Sequence, residues 1–184
     1  MAVLDPANVA NQPNAGSAPD CGFDGDPEQV AHTIALRRLT AQARTRHELD
    51  QALRRRNVPD DVAASVLDRL EDVGLVNDEV FARDWVESRQ RRRHLSRSAL
   101  RRELQAKGVG REHIDDALAT IDGVDELEAA RALVATKAVA TRGLDPLVRY
   151  RRLAGALSRR GFGSGIIATV LDELGDGSTH DPSA

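Results

Sequence analysis

A chain of 184 residues with 30% charged side chains, 3% aromatics and 14 glycines is poor material for a β-sandwich, while its Ala, Leu, Arg and Glu suit helices. No apolar run approaches the ~18 residues of a membrane span, and residues 1–25 lack the basic-then-apolar order of a secretory signal. The single cysteine, Cys21, can staple nothing within the chain, so a cytoplasmic protein is expected.

Residues 1–25, rich in Ala, Asn, Pro, Gly and Asp without periodicity, read as a disordered leader. Order is expected to begin at Asp26-Pro27-Glu28, where an aspartate can cap orphan amides and proline suits the first helical position. Ala31, Ala35 and Leu39, with Val30 and Ile34, form one apolar stripe. Thr45-x2-Glu48 has capping-box spacing and opens a second helix carrying Leu49 and Leu53. That helix ends at Arg54-Arg55-Arg56, with Asn57 in a left-handed terminating position. Pro59-Asp60-Asp61 starts a third helix through Val62, Val66, Leu67 and Leu70 to Gly74.

The plan then repeats. Asn77-Asp78-Glu79 caps a helix with Phe81, Ala82, Trp85 and Val86 on its apolar face, and Ser96 caps the next, which carries Leu100 and Leu104. A third, with Ile114, Ala117, Leu118 and Ile121, is expected to end at Gly123. The last unit is expected to open at Asp125-x2-Glu128 and to restart at Asp145-Pro146, and Ile166 to Leu174 supply its final helix.

Three segments are in fact copies of one pattern. Leu49-x3-Leu53-x2-Arg56-Asn57-Val58 recurs as Leu100-x3-Leu104-x2-Lys107-Gly108-Val109 and as Leu153-x3-Leu157-x2-Arg160-Gly161-Phe162, at offsets of 51 and 53 residues. Such a period points to stacked supersecondary units, each unable to bury its apolar face alone. The expectation is an all-α protein of three tandem three-helix repeats, forming an elongated, curved, solenoid-like arm. The expected divisions are a leader 1–25, repeats 26–75, 76–123 and 124–174, and a disordered tail 175–184.

The net charge of -3 hides an asymmetry, because 1–26 and 175–184 hold acidic residues and no Lys or Arg. Within 83–111 ten basic residues face three acidic ones, which makes the middle repeat the basic one. Arg83, Arg89, Arg91, Arg92, Arg93, Arg97, Arg101 and Arg102 are the candidate partner-binding residues. Such a patch suits an acidic partner, either nucleic acid or an acidic protein surface. The expected third helices begin with acidic or mixed residues, Pro59-Asp60-Asp61 and Arg111-Glu112-His113, which argues against their reading a DNA groove.

Enzyme readings fare poorly. Gly161-Phe162-Gly163-Ser164-Gly165 follows a helix, lacks a P-loop lysine and misses the phosphate-loop spacing. The histidines show no H-E-x-x-H spacing, and the paired acids each open a helix, where the dipole accounts for them. No enzyme, no cofactor and no metal are expected.

One stretch carries a family resemblance. Leu70-x3-Gly74-Leu75-Val76-Asn77-Asp78-Glu79-Val80-Phe81-Ala82-Arg83-x-Trp85-Val86-x-Ser88-Arg89, continued by Leu100-x2-Glu103-Leu104-x2-Lys107-Gly108-Val109, resembles the RecX family of RecA regulators. Two departures are visible: Asn57 replaces the glycine of the other repeats, and Arg92-Arg93-His94-Leu95 lacks a glycine often found there. The resemblance implies a protein that binds the RecA filament on single-stranded DNA and restrains recombination, ATP hydrolysis and co-protease activity. It also leaves open direct binding to single- or double-stranded DNA without RecA. A monomer is expected, since no unit shows a spare apolar face.

Overall fold

The computed structural model describes residues 26–176. The expected leader, with Cys21, and residues 177–184 of the expected tail lie outside them. Among the described residues there are nine helices and no strand: α1 (Pro27–Ala41), α2 (Arg46–Arg54), α3 (Asp60–Asp72), α4 (Asp78–Arg93), α5 (Arg97–Ala106), α6 (Arg111–Ala119), α7 (Gly123–Thr141), α8 (Pro146–Arg159) and α9 (Ser164–Asp176). The expected boundary at Gly175 therefore falls inside α9.

Capping chemistry sets most of the starts. Asp26 accepts from the Glu28 amide, Asn77 from that of Val80 and Ser96 from that of Ala99. Thr45 and Glu48 form the reciprocal capping box. Asp145 accepts from the Leu147 and Val148 amides, with Pro146 at the first helical position.

One start differs from expectation. The third unit opens at Asp122, not Asp125: Asp122 accepts from the Val124 and Asp125 amides at 2.7 and 2.8 Å, and Asp125 answers as the second member of the box. Gly123 is thus the first residue of α7 and not the end of α6, which stops at Ala119. The chain holds two acid-x2-acid spacings one turn apart, and burial of Ile121 pins the earlier one beside the preceding core.

Each group of three helices closes on its own core. Leu49, Leu53, Val66, Leu67 and Leu70 fill the first; Leu100, Leu104, Ile114 and Leu118 the second; Leu153, Leu157, Val170 and Leu171 the third. Fully burying one such leucine contributes about 1.5–3 kcal/mol. The closely packed helix pairs all lie within a unit. The chain enters the left-handed region at Asn57, Gly108 and Gly161, the matching turns of the three copies. His94 also adopts it, at φ 48°, and so closes the glycine-free turn between α4 and α5.

The units are joined by a repeated backbone device. The turn after the second helix of one unit meets the capped start of the second helix in the unit before it. At the first joint the Thr45 hydroxyl donates to the Lys107 carbonyl at 2.7 Å, and the Lys107 ammonium donates to Glu48 at 2.7 Å. The Arg46 amide adds a 2.9 Å bond to Asp78. At the second joint the Ser96 amide donates to the Arg160 carbonyl at 3.1 Å, and the Arg160 guanidinium donates to the Arg93 carbonyl. The Arg97 amide donates to Glu126 at 3.1 Å.

These joints need glycine. A Cβ on Gly108 would lie 2.2 Å from the His47 ring, and one on Gly161 would lie 2.6 Å from the Ser96 hydroxyl. Among the described residues no unit precedes the first, and Asn57 keeps its side chain there.

Burial alone would raise the Glu48 carboxyl, but the hydrogen bond and charge of Lys107, the Thr45 amide and Arg44 together hold it below its ordinary value of 4.5. A carboxyl lowered in the fold stabilises above its unfolded value, and that stabilisation disappears as pH falls through the folded value. Wild type should therefore lose more stability between about pH 6 and pH 3.5 than Glu48→Gln, read from urea midpoints.

Gly74 also has positive φ but open space around it, so Gly74→Ala should cost about 1–2 kcal/mol through backbone strain alone. Gly108→Ala carries that strain plus the overlap with His47, and should cost at least ~1 kcal/mol more by urea denaturation.

Candidate partner-binding surface

The eight arginines singled out from the sequence lie on α4 and α5, yet they are not equivalent. Two are matched along their own helix, because Arg83 and Arg91 pair with Glu79 and Glu87 four residues earlier on α4. Arg101 reaches across to α6 and pairs with Asp115 at 2.6 Å, and its hydrogen bond holds the Asp115 carboxyl below the usual range. Such exposed pairs are weak and screened by solvent, so an anionic partner can exchange for them.

Arg89 belongs to an aromatic cluster. Its guanidinium lies 4.0 Å from the centre of the Trp85 ring, and the Lys107 ammonium lies 4.3 Å from the same centre. Phe81 stacks on Trp85 at 5.6 Å between centroids. The indole N–H donates to Glu103 at 2.8 Å, and Arg89 Nε stands 3.2 Å from that carboxylate as an ion pair without hydrogen-bond alignment. Phe81 is buried as expected from its apolar face, whereas Trp85 is half-buried. It packs on the core and also lines a cleft of about 410 Å³ between units, with Gln42 and Ala43 opposite. Cations already cover the ring, which makes the cleft a clamp between units and leaves little free stacking face.

Arg92, Arg93, Arg97 and Arg102 are exposed and make no ion pair among the described residues. Arg97 donates to the Ile121 carbonyl at 3.5 Å and Arg102 to the Ser98 hydroxyl at 2.7 Å, contacts that leave both charges uncompensated.

The second joint brings in a further cation that the charge count over 83–111 missed. Arg160 donates to the Arg93 carbonyl, and Gly161 packs so closely that a Cβ there would lie 2.9 Å from an Arg102 nitrogen. The position matching Glu48 of the first joint is Ala99, so Arg160 and Arg102 meet beside the Arg93 backbone with no carboxylate in the matching place. Arg56, Lys107 and Arg160 occupy the same place in the three copies, and that alignment was the available signal for Arg160.

Among the described residues no group of three or more His, Cys, Asp or Glu side chains could hold a metal ion. Nor is any described helix long and apolar enough to cross a membrane. The surface is a set of guanidiniums carried on α4 and α5, four of them exposed and without an ion pair among the described residues.

Comparison with known proteins agrees with the unit architecture. The RecX first, second and third three-helix domains match residues 31–70, 77–118 and 124–171. The regulatory protein RecX of Streptomyces coelicolor is 48% identical over 159 residues, spanning 84% of this chain and 85% of its own length. That of Mycolicibacterium vanbaalenii is 49% identical over 140 residues, 73% of this chain and 76% of its own. In fold, the crystal structure of RecX from Lactobacillus salivarius superposes with a TM-score of 0.70 at 24% identity, covering 80% of this chain and 96% of that one. With all three three-helix domains matched in order, the chain belongs to the RecX family of regulatory proteins.

Proposed function

We propose that this protein binds the RecA filament on single-stranded DNA and modulates it, mainly by restraining its recombinase, ATPase and co-protease activities. Family membership supports the reading, since the relatives are regulatory proteins by name. The observation that carries the choice of surface is the group of uncompensated guanidiniums at the second joint.

Arg92, Arg93, Arg97 and Arg102 are the primary contacts in this reading, and Arg83, Arg89, Arg91 and Arg101 are secondary because each already has a carboxylate. Two neighbouring helices of the middle unit, α4 and α5, present these charges together, so several modest contacts act jointly through effective concentration. A filament offers the same surface at each of its subunits, which suits a protein built of repeated units. The protein acts by binding in the cytoplasm, as a monomer, with no cofactor and no reaction of its own.

The test is ATP hydrolysis by RecA on single-stranded DNA, titrated with this protein. Replacing Arg92, Arg93 and Arg102 together by alanine should raise the half-inhibitory concentration roughly tenfold or more, the equivalent of about 1.4 kcal/mol of lost binding. Replacing Arg83 and Arg91 should have a clearly smaller effect. Equal inhibition by wild type and the triple variant would remove this surface from the reading, and no inhibition by wild type would remove the reading itself.

A further inference from the structure

The turn of each repeat carries a cation directly before its left-handed residue: Arg56, Lys107 and Arg160. In the second and third units that cation is used internally, by Lys107 on Glu48 and by Arg160 on the Arg93 carbonyl. For the first unit, no earlier unit stands among the described residues to receive it. Arg56 is exposed and makes no ion pair or side-chain hydrogen bond among the described residues.

Arg56 instead lines an open groove of about 390 Å³ beside the second half of α1, together with Arg37, Arg38 and Arg44. No carboxylate lines the groove, and Ile34 and Ala41 give it an apolar part. Arg37 and Arg38 have no ion pair or side-chain hydrogen bond among the described residues. Arg44 stands 3.6 Å from Glu48, a carboxylate already held by Lys107 at 2.7 Å. With the Gln42 amide turned so that its oxygen faces the guanidinium, Arg44 is also steadied at 2.6 and 3.0 Å. Four guanidiniums around one groove repel one another, a cost that an anion seated between them removes.

We propose that this groove is a binding site for the phosphodiester backbone of nucleic acid, with Arg37, Arg38, Arg44 and Arg56 contacting successive phosphates. Arginine forks match phosphate oxygens in pairs, and the backbone repeats its charge at a spacing that several arginines can follow. An acidic protein helix is the other anion with suitable chemistry, and the repeat shows how one would dock. Glu48 sits in the first turn of α2 and meets the Lys107 turn only because Gly108 lets the backbones approach. Asn57 puts a side chain into that approach in the first unit, which closes the helix-docking mode while leaving the guanidiniums open. The site is separate from the middle-repeat surface and does not depend on the RecA reading.

The experiment is fluorescence anisotropy without RecA, using oligo(dT) of about 20 nucleotides, a duplex of the same length, and a polyglutamate peptide as an acidic-protein probe, across about 50–200 mM salt. The variant Arg37→Gln/Arg38→Gln/Arg56→Gln removes only side chains without partners, and unchanged thermal melting checks its fold. Affinity for oligo(dT) should fall roughly tenfold, and the slope of log K against log salt should flatten by about 2, as expected for three lost phosphate contacts. The Arg37→Lys/Arg38→Lys/Arg56→Lys variant should retain most of both. An equal loss on duplex assigns the site to the backbone of either form, and a loss confined to oligo(dT) assigns it to single strands. The proposal fails if the glutamine variant binds like wild type, if wild type binds neither nucleic acid, or if polyglutamate binding is lost in step with DNA binding. Failure here would leave inhibition of RecA intact, whereas failure of the RecA reading would leave this anisotropy signal intact.

Discussion

The hydrogen bond from the Thr45 hydroxyl to the Lys107 carbonyl is small, but the architecture above the single unit depends on contacts of its kind. Each three-helix bundle is complete in its own core and shares no extensive helix packing with its neighbours. What holds one unit at a set position against the next is backbone meeting a helix cap at van der Waals distance. That contact forces glycine at Gly108 and Gly161, and it uses polar groups that any helix start and any left-handed turn supply. Repeating the unit thus repeats the joint, without a dedicated interface having to be encoded.

At both joints the N-cap residue donates to the carbonyl of the turn, through the Thr45 hydroxyl at the first and the Ser96 amide at the second, and the joints differ in charge. At the first, Lys107 and Glu48 neutralise each other, and Trp85 with its covering cations closes the side of the contact. At the second, alanine stands in place of the glutamate, and the Arg160 turn meets the Arg93 carbonyl of α4 and the Arg102 side chain of α5. One position in a copied pattern separates a joint that is only structural from one that presents positive charge to the surroundings. The same reasoning makes the turn of the first unit conspicuous: its cation meets no earlier unit among the described residues.

Much of this was legible in the sequence because it is local. The Leu49/Leu53, Leu100/Leu104 and Leu153/Leu157 pairs announce the buried faces, and Thr45, Asn77, Ser96 and Asp145 announce helix starts through the hydrogen bonds their side chains can reach. Ion pairs at a spacing of four, such as Glu79 with Arg83, were readable in principle from the same periodicity. Asp122 was missed because it competes with Asp125 for one role, and packing of Ile121 decides between them. The pairing of Arg101 with Asp115 and the arrival of Arg160 beside Arg93 depend on how separate helices meet, which no local rule encodes. The fold was therefore more legible than the surface, since a charge count registers every arginine and cannot tell which are matched.

The reach of the joints along the chain has a consequence for how the protein is made. Thr45 waits for a carbonyl 62 residues further on, and Arg160 closes on one 67 residues behind it. Within a unit partners lie closer than that, 42 residues apart for Arg131 and Glu173, and an all-helical bundle favours rapid collapse. A chain emerging from the ribosome can complete each bundle before the next begins, and lock it only when the following turn arrives. Assembly is then directional, running from the amino end like successive links of a watch bracelet. Each clasp closes behind the growing chain, and half-made protein never needs to expose a long unpaired hydrophobic seam.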